Sequence, residues 1–140
     1  MENEQLIIEN EGKICILLAM EKENPIRDKS YAFAVHIVEF CRYLQDKKEF
    51  VLSKQLLKSG TSVGANVEEA LQAQSKADFI SKLSISLKEA FESRFWLRLM
   101  LDTQTASVEK ILPLQSEIQE IVALLTSIVK SSRQNLDLEP

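Results

Sequence analysis

SGTSVGANVEEA (residues 59–70) holds two of the chain's three glycines, Gly60 and Gly64, four residues apart. It is either a loop around a ligand or a helix kept thin for a close neighbour. A phosphate-binding loop needs G-x-x-x-x-G-K-[ST] after a strand, so that backbone N–H groups and a lysine surround the phosphates. Here the spacing is one residue short, Ala65 and Asn66 follow Gly64, and no strand pattern precedes. Read as a helix, the stretch joins a stripe of Leu52, Leu56, Ser59, Val63, Asn66 and Ala70, with Gly60 and Gly64 about 90° round from it. Each glycine costs roughly 1 kcal/mol of helix propensity relative to alanine. Close approach of a neighbouring element is the gain that offsets it, because without a Cβ a backbone or a large side chain can come nearer. Counting levels from a turn near residue 77 sets Gly60 opposite Arg94 and Val63 opposite Phe91. Gly60, Gly64, Asn66 and Arg94 are therefore the expected helix-packing positions.

Working outward, three further apolar periods flank this segment. Phe33, Ile37, Phe40, Cys41 and Leu44 form a one-face stripe, predicting a helix from about Ser30. Helix two begins near Ser53 and runs to about Ser75. Helix three spans about Asp78 to Asp102, capped by Asp78 or Ser75, with Ile80, Leu83, Leu87, Phe91, Arg94, Leu97 and Leu101 on its core face. Helix four starts near Ile111, with Leu114, Ile118, Ile121, Val122, Leu125 and Ile128 inward, and SSRQNLDLEP loses the pattern. Short connections make consecutive helices antiparallel neighbours. The expected fold is all-α, an antiparallel up-down four-helix bundle over residues 25–136. Residues 1–24 form an N-terminal extension, partly ordered at best, and residues 137–140 a frayed tail.

Composition agrees with this class. The chain has 140 residues, 45% hydrophobic and 27% charged, with three glycines and three prolines, too few for the turns of a β-rich fold. Cys15 and Cys41 lie in apolar runs and read as reduced thiols of a cytoplasmic protein. The apolar run KICILLAM is too short to span a membrane and follows an acidic stretch, the reverse of a secretory signal. The net charge of −4 is unevenly spread: −4 over residues 1–24, +3 over 25–100 and −3 over 101–140. The overall balance argues against a strong nucleic-acid binder, whereas the basic middle leaves room for a local positive face.

Several stretches carry a family resemblance. IRDKSYAFAVHIV, LSKQLLKSGTSVGANVEEALQAQSKADFISKLSISLKEAFESRFWLRL and LLTSIVKSSRQNL resemble the four-helix bundle proteins encoded by intervening sequences of bacterial 23S ribosomal RNA genes. The similarity covers roughly Asn24 to Leu136. It implies an antiparallel bundle assembled as a ring-like homopentamer, and kinship with accessory proteins of diversity-generating retroelements, which associate with a reverse transcriptase and bind nucleic acid through basic surfaces. The resemblance brings no catalytic residues. Members of the family often start near MEKENPIRDKS, which begins here at Met20, so residues 1–19 are expected to be an extension or an upstream start.

Self-association is also legible in the residues. Tyr31, Val35 and Val38 on helix one, and Ile85, Trp96 and Leu99 on helix three, fall away from the core stripes. Contiguous apolar groups of this kind mark an interface with another copy or with the N-terminal segment. For a partner RNA or DNA, the candidate phosphate contacts are Lys54 and Lys58, one turn apart, with Arg27, Lys29, Lys47 and Lys48 near helix ends. A protein partner is the other expectation, with the lysines serving solubility.

Enzyme chemistry finds little support. His36 is the single histidine, so the Glu-x-x-His pairs of di-iron bundles are absent, and no Ser–His–Asp or Cys–His spacing is present. Glu89, Glu92, Glu117 and Glu120 stand at compatible levels for a Mg²⁺ site on adjacent helices, but their helical phases point apart. No metal or cofactor is expected.

Overall fold

The structure, a computed structural model, describes residues 23–137. The expectations for residues 1–22, including Cys15, and for residues 138–140 lie outside the described residues. Among the described residues four helices follow one another: α1 (Pro25–Asp46), α2 (Phe50–Leu71), α3 (Lys76–Asp102) and α4 (Val108–Asp137). Sequential pairs pack extensively, and α1 closes the ring against α4 along a slighter seam. Contacts run in opposite directions along each pair. Gly60 faces Ile37 and Gly64 faces Ser30, so position rises on α2 as it falls on α1. Ser86 reaches Val63 and Ser93 reaches Ser59 in the same antiparallel sense between α3 and α2.

The boundaries have local causes. α1 starts at Pro25 rather than near Ser30, because Asn24 caps it: its Oδ1 accepts from Arg27 N–H at 3.2 Å, and proline fills the first helical position, where no N–H is needed. α2 opens at Phe50 and stops at Leu71, short of Ser75, which instead caps α3 by accepting from Asp78 N–H at 3.0 Å. The α1–α2 and α3–α4 turns use one device. Lys48 (φ 66°) and Gln104 (φ 55°) adopt the left-handed conformation. The following N–H groups of Glu49 and Thr105 then reach back to Leu44 and Met100 carbonyls, each at 2.9 Å, closing Schellman motifs without glycine. α4 starts three residues before the expected Ile111 and continues to Asp137; Ser132 is buried and Leu136 packs against the core, so the period persists past residue 131.

The core is contributed by all four helices, with Phe33, Ile37 and Leu44 of α1, Leu56 and Val63 of α2, Phe79, Leu83, Leu97 and Met100 of α3, and Ile111, Ile118, Ile121 and Leu125 of α4 fully or almost fully buried. The inward face of α3 differs from the expected one. Phe79, Leu83, Ser86, Ala90, Ser93, Leu97 and Met100 point inward, whereas Phe91 and Arg94 are exposed and Leu87 and Leu101 are half-buried. The cause is a small-residue seam against α2. Ser86 Oγ donates to Val63 O at 2.8 Å, and Ser93 Oγ lies 2.9 Å from both Ser59 Oγ and Glu89 O, so buried hydroxyls replace bulky apolar groups. Serine inside and phenylalanine outside is what misleads a hydrophobicity count.

The glycines face α1, not Arg94 and Phe91. A Cβ on Gly60 would stand 2.9 Å from Ile37 Cγ2, and one on Gly64 3.1 Å from the Ser30 carbonyl oxygen. Asn66 is half-buried and donates to Ser62 O at 2.8 Å within its own helix. Gly60→Leu is expected to destabilise the bundle by about 1–3 kcal/mol through overpacking against Ile37. The penalties of Gly60→Leu and Ile37→Ala should be non-additive by at least about 0.5 kcal/mol, because truncating Ile37 makes room for the new side chain. Urea unfolding of the two single variants and the double variant measures this; strict additivity would place the collision elsewhere.

Candidate interaction surfaces

Three surface features surround the core. The first is a groove of about 380 Å³ between α3 and α4, lined by Phe91, Arg94, Phe95 and Arg98 from α3 and Gln115 and Gln119 from α4. The α3 residues recur at i, i+3, i+4 and i+7, one side of the helix. Phe91 and Phe95 are 42% and 45% exposed, Arg94 stacks over the Phe91 ring at 4.9 Å, and Phe95 meets Trp96 edge-on at 5.0 Å. None of the lining residues is acidic. Farther along the same pair, Arg133 donates to Ser84 Oγ at 3.2 Å across the helices.

The second feature is a groove of about 440 Å³ along the α1–α4 seam, lined by residues including His36, Tyr43, Lys110 and Glu117. His36 Nδ1 lies 2.6 Å from Glu117 Oε1, and Lys29 Nζ 2.9 Å from Glu120 Oε1. Lys110 stands 4.3 Å and Lys47 5.0 Å from the Tyr43 ring centre. The four acidic residues weighed for a cation therefore disperse. Glu117 and Glu120 pair with α1, while Glu89 is on α3, beside Glu92. Burial and then the neighbouring Glu92 push the Glu89 carboxyl above its usual range, with Lys58 pulling the other way. Among the described residues no cluster of His, Cys, Asp and Glu has the form of a metal site. Cys41 is buried, and burial pushes its thiol up to about 11, far from a reactive thiolate at neutral pH.

The third feature is the outward side of α1. Tyr31 is 67% and Val35 39% exposed, with Val38 half-buried beside them. Ile85 is exposed on α3, whereas Trp96 and Leu99 are half-buried, Trp96 packing against the core. The six basic candidates do not gather. Arg27 and Lys29 open α1 and Lys47 and Lys48 follow its far end, about 33 Å away for a helix of this length. Lys54 is exposed near the start of α2 at that end, whereas Lys58 is exposed nearer the middle of α2, level with Glu89, so three of the six share one end of the bundle. Arg27 contacts Asp28 and Lys29 is occupied by Glu120. Phe95, Arg98, Gln115 and Gln119 were not singled out by sequence reasoning. The signal was present in FESRFWLR, where Phe and Arg alternate along one stripe, but Phe91 and Arg94 read as core positions and Phe95 and Arg98 carry no separate signal.

Comparison with known proteins fits this architecture. The family model described as 23S rRNA-intervening sequence protein matches residues 22–127, most of the chain and nearly the whole bundle. The chain belongs to this family. A crystal structure from Bacteroides thetaiotaomicron, of a protein of unknown function from the S23 ribosomal protein family, shares 51% identity with a TM-score of 0.73, covering 75% of this chain and 98% of the other. No protein with a curated description matches. The 23S rRNA-intervening sequence protein family thus accounts for the four helices, while residues 1–21 precede the matched region. Among the described residues no helix is long and apolar enough to cross a membrane.

The Glu89 environment gives a pH prediction. A carboxyl whose pKa is raised by folding favours the fold while protonated, and that contribution is lost as pH rises through the folded-state pKa. Glu89→Gln should therefore raise Tm at about pH 7 and leave it unchanged below the ordinary carboxylate range. Thermal melts followed by circular dichroism across that range test the sign. A lower Tm at neutral pH would show that Lys58 outweighs burial and Glu92.

Proposed function

We propose that this is a non-enzymatic bundle that works as a homo-oligomer. The observation carrying this reading is the outward face of α1, where Tyr31 and Val35 stand exposed beside Val38. This apolar strip lies on the back of a helix whose front already fills the core, and a second copy would remove it from water. Five copies is the number that the family resemblance implies. Light scattering after size exclusion should give a mass several times that of one chain, and Val35→Glu should reduce it, with helicity retained. A single-chain mass for the unaltered protein at micromolar concentration would rule the reading out.

A nucleic-acid reading is favoured by a separate observation, the placing of Lys47, Lys48 and Lys54 at one end of the bundle, with Lys58 one turn farther along α2. Repeated around an oligomer, these lysines would form a basic rim for the phosphates of a structured RNA. The competing reading is a structural or protein-interaction ring in which they only solubilise. Anisotropy of a labelled RNA hairpin across a salt series separates the two. Steep weakening with salt, flattened in a Lys54→Gln/Lys58→Gln variant, supports RNA; no binding at about 50 mM salt leaves the interaction ring.

A further inference from the structure

The α3–α4 groove, not the lysine-rich end, carries the more complete chemistry for a nucleic acid. We propose that Phe91, Arg94, Phe95 and Arg98, facing Gln115 and Gln119, form a binding groove for single-stranded RNA; this rests on the nucleic-acid reading and moves it to a specific site. Four observations converge. The groove's charged residues are both arginines, in a chain whose net charge is −4, so an anionic partner meets no local repulsion from the lining. The two phenyl rings are nearly half exposed, and they lie one turn apart, about 6 Å along the helix, a spacing that lets two unstacked bases of one strand each find a ring. Arg94 Cζ lies 4.9 Å from the centre of the Phe91 ring, a cation–π contact that sets a positive charge beside the ring where a base would sit near its phosphate. The opposite wall offers two amides, able to donate to and accept from base edges or ribose 2′-hydroxyls.

A protein partner fits less well. A peptide anchor seeks a deep apolar pocket, whereas four of these six lining side chains are polar. Duplex RNA keeps its bases stacked and cannot use the rings. Arg133, bridging to Ser84, extends positive charge along the same helix pair.

The test is fluorescence anisotropy with a labelled oligouridylate of about 12 nucleotides, a blunt hairpin and a polyglutamate peptide, each across a salt series. The oligouridylate should bind more tightly than the hairpin or the peptide. Phe91→Ala/Phe95→Ala should weaken it at least tenfold, while Phe91→Tyr/Phe95→Tyr retains binding, showing that the rings act by stacking. Arg94→Gln/Arg98→Gln should flatten the slope of log K against log salt by about 1.4, the value for two single-strand phosphate contacts. All four positions are exposed, so circular dichroism should report an unchanged bundle. Binding of RNA that ignores these variants but responds to Lys54 and Lys58 would overturn the groove and leave the nucleic-acid reading standing. Equal affinity for polyglutamate would overturn it in favour of a site for acidic proteins. Absence of RNA binding at low salt would end both readings.

Discussion

The close approach of α1 and α2 sets the terms for the rest of the bundle. At Gly60 and Gly64 the surface of α2 is bare backbone, and Ile37 and the Ser30 carbonyl occupy the space a side chain would take. Two glycines in one helix cost roughly 2 kcal/mol of propensity, offset here by dense packing against Ile37 and its neighbours. The same narrowness continues toward α3, where Ser59, Ser86 and Ser93 lie buried with their hydroxyls hydrogen-bonded. A thin second helix thus draws both of its neighbours inward.

That geometry has an outward consequence. With small residues on the inner side of α3, large residues of the same helix are displaced to its flanks. Phe91 and Phe95 emerge toward α4 with Arg94 and Arg98, and Ile85 emerges elsewhere on the helix. The groove and the apolar patches are therefore the other side of the packing solution. The arginines line it together with α4's glutamines, whereas the carboxylates Glu117 and Glu120 are engaged with α1.

Much of this was legible from sequence, and the exceptions have causes. The inward stripes of α1 and α4 were readable because large apolar residues repeat through their middles, the buried serines Ser30 and Ser132 standing near one end of each. The helical reading of residues 59–70 followed from failed phosphate-loop spacing and continuous period. Partner assignment for Gly60 failed because a level count presumed α3 as the close neighbour, while Ile37 on α1 was equally available. The face of α3 was misread because buried serines look polar and exposed phenylalanines look like core. The end of α3 at Asp102 was readable, whereas the start of α1, the end of α2 and the start of α4 differ by three to five residues, because capping at Asn24 and Ser75 lies outside the apolar stripes. The dispersal of the basic residues could not be seen without the lengths of α1 and α2.

The slighter α1–α4 seam has a consequence for motion. Each of the other three helix pairs is joined by a short turn and packs along its length, whereas this seam joins elements distant in sequence. Exposed polar pairs, Lys29 with Glu120 and His36 with Glu117, bridge it, and such pairs hold only weakly in water. The bundle is in this respect a strip of three hairpins rolled until its edges touch. Partial opening at those edges separates α1 from α4 while leaving the α2–α3 centre intact, so amide protons along the edge helices should exchange through sub-global openings before the central pair is exposed.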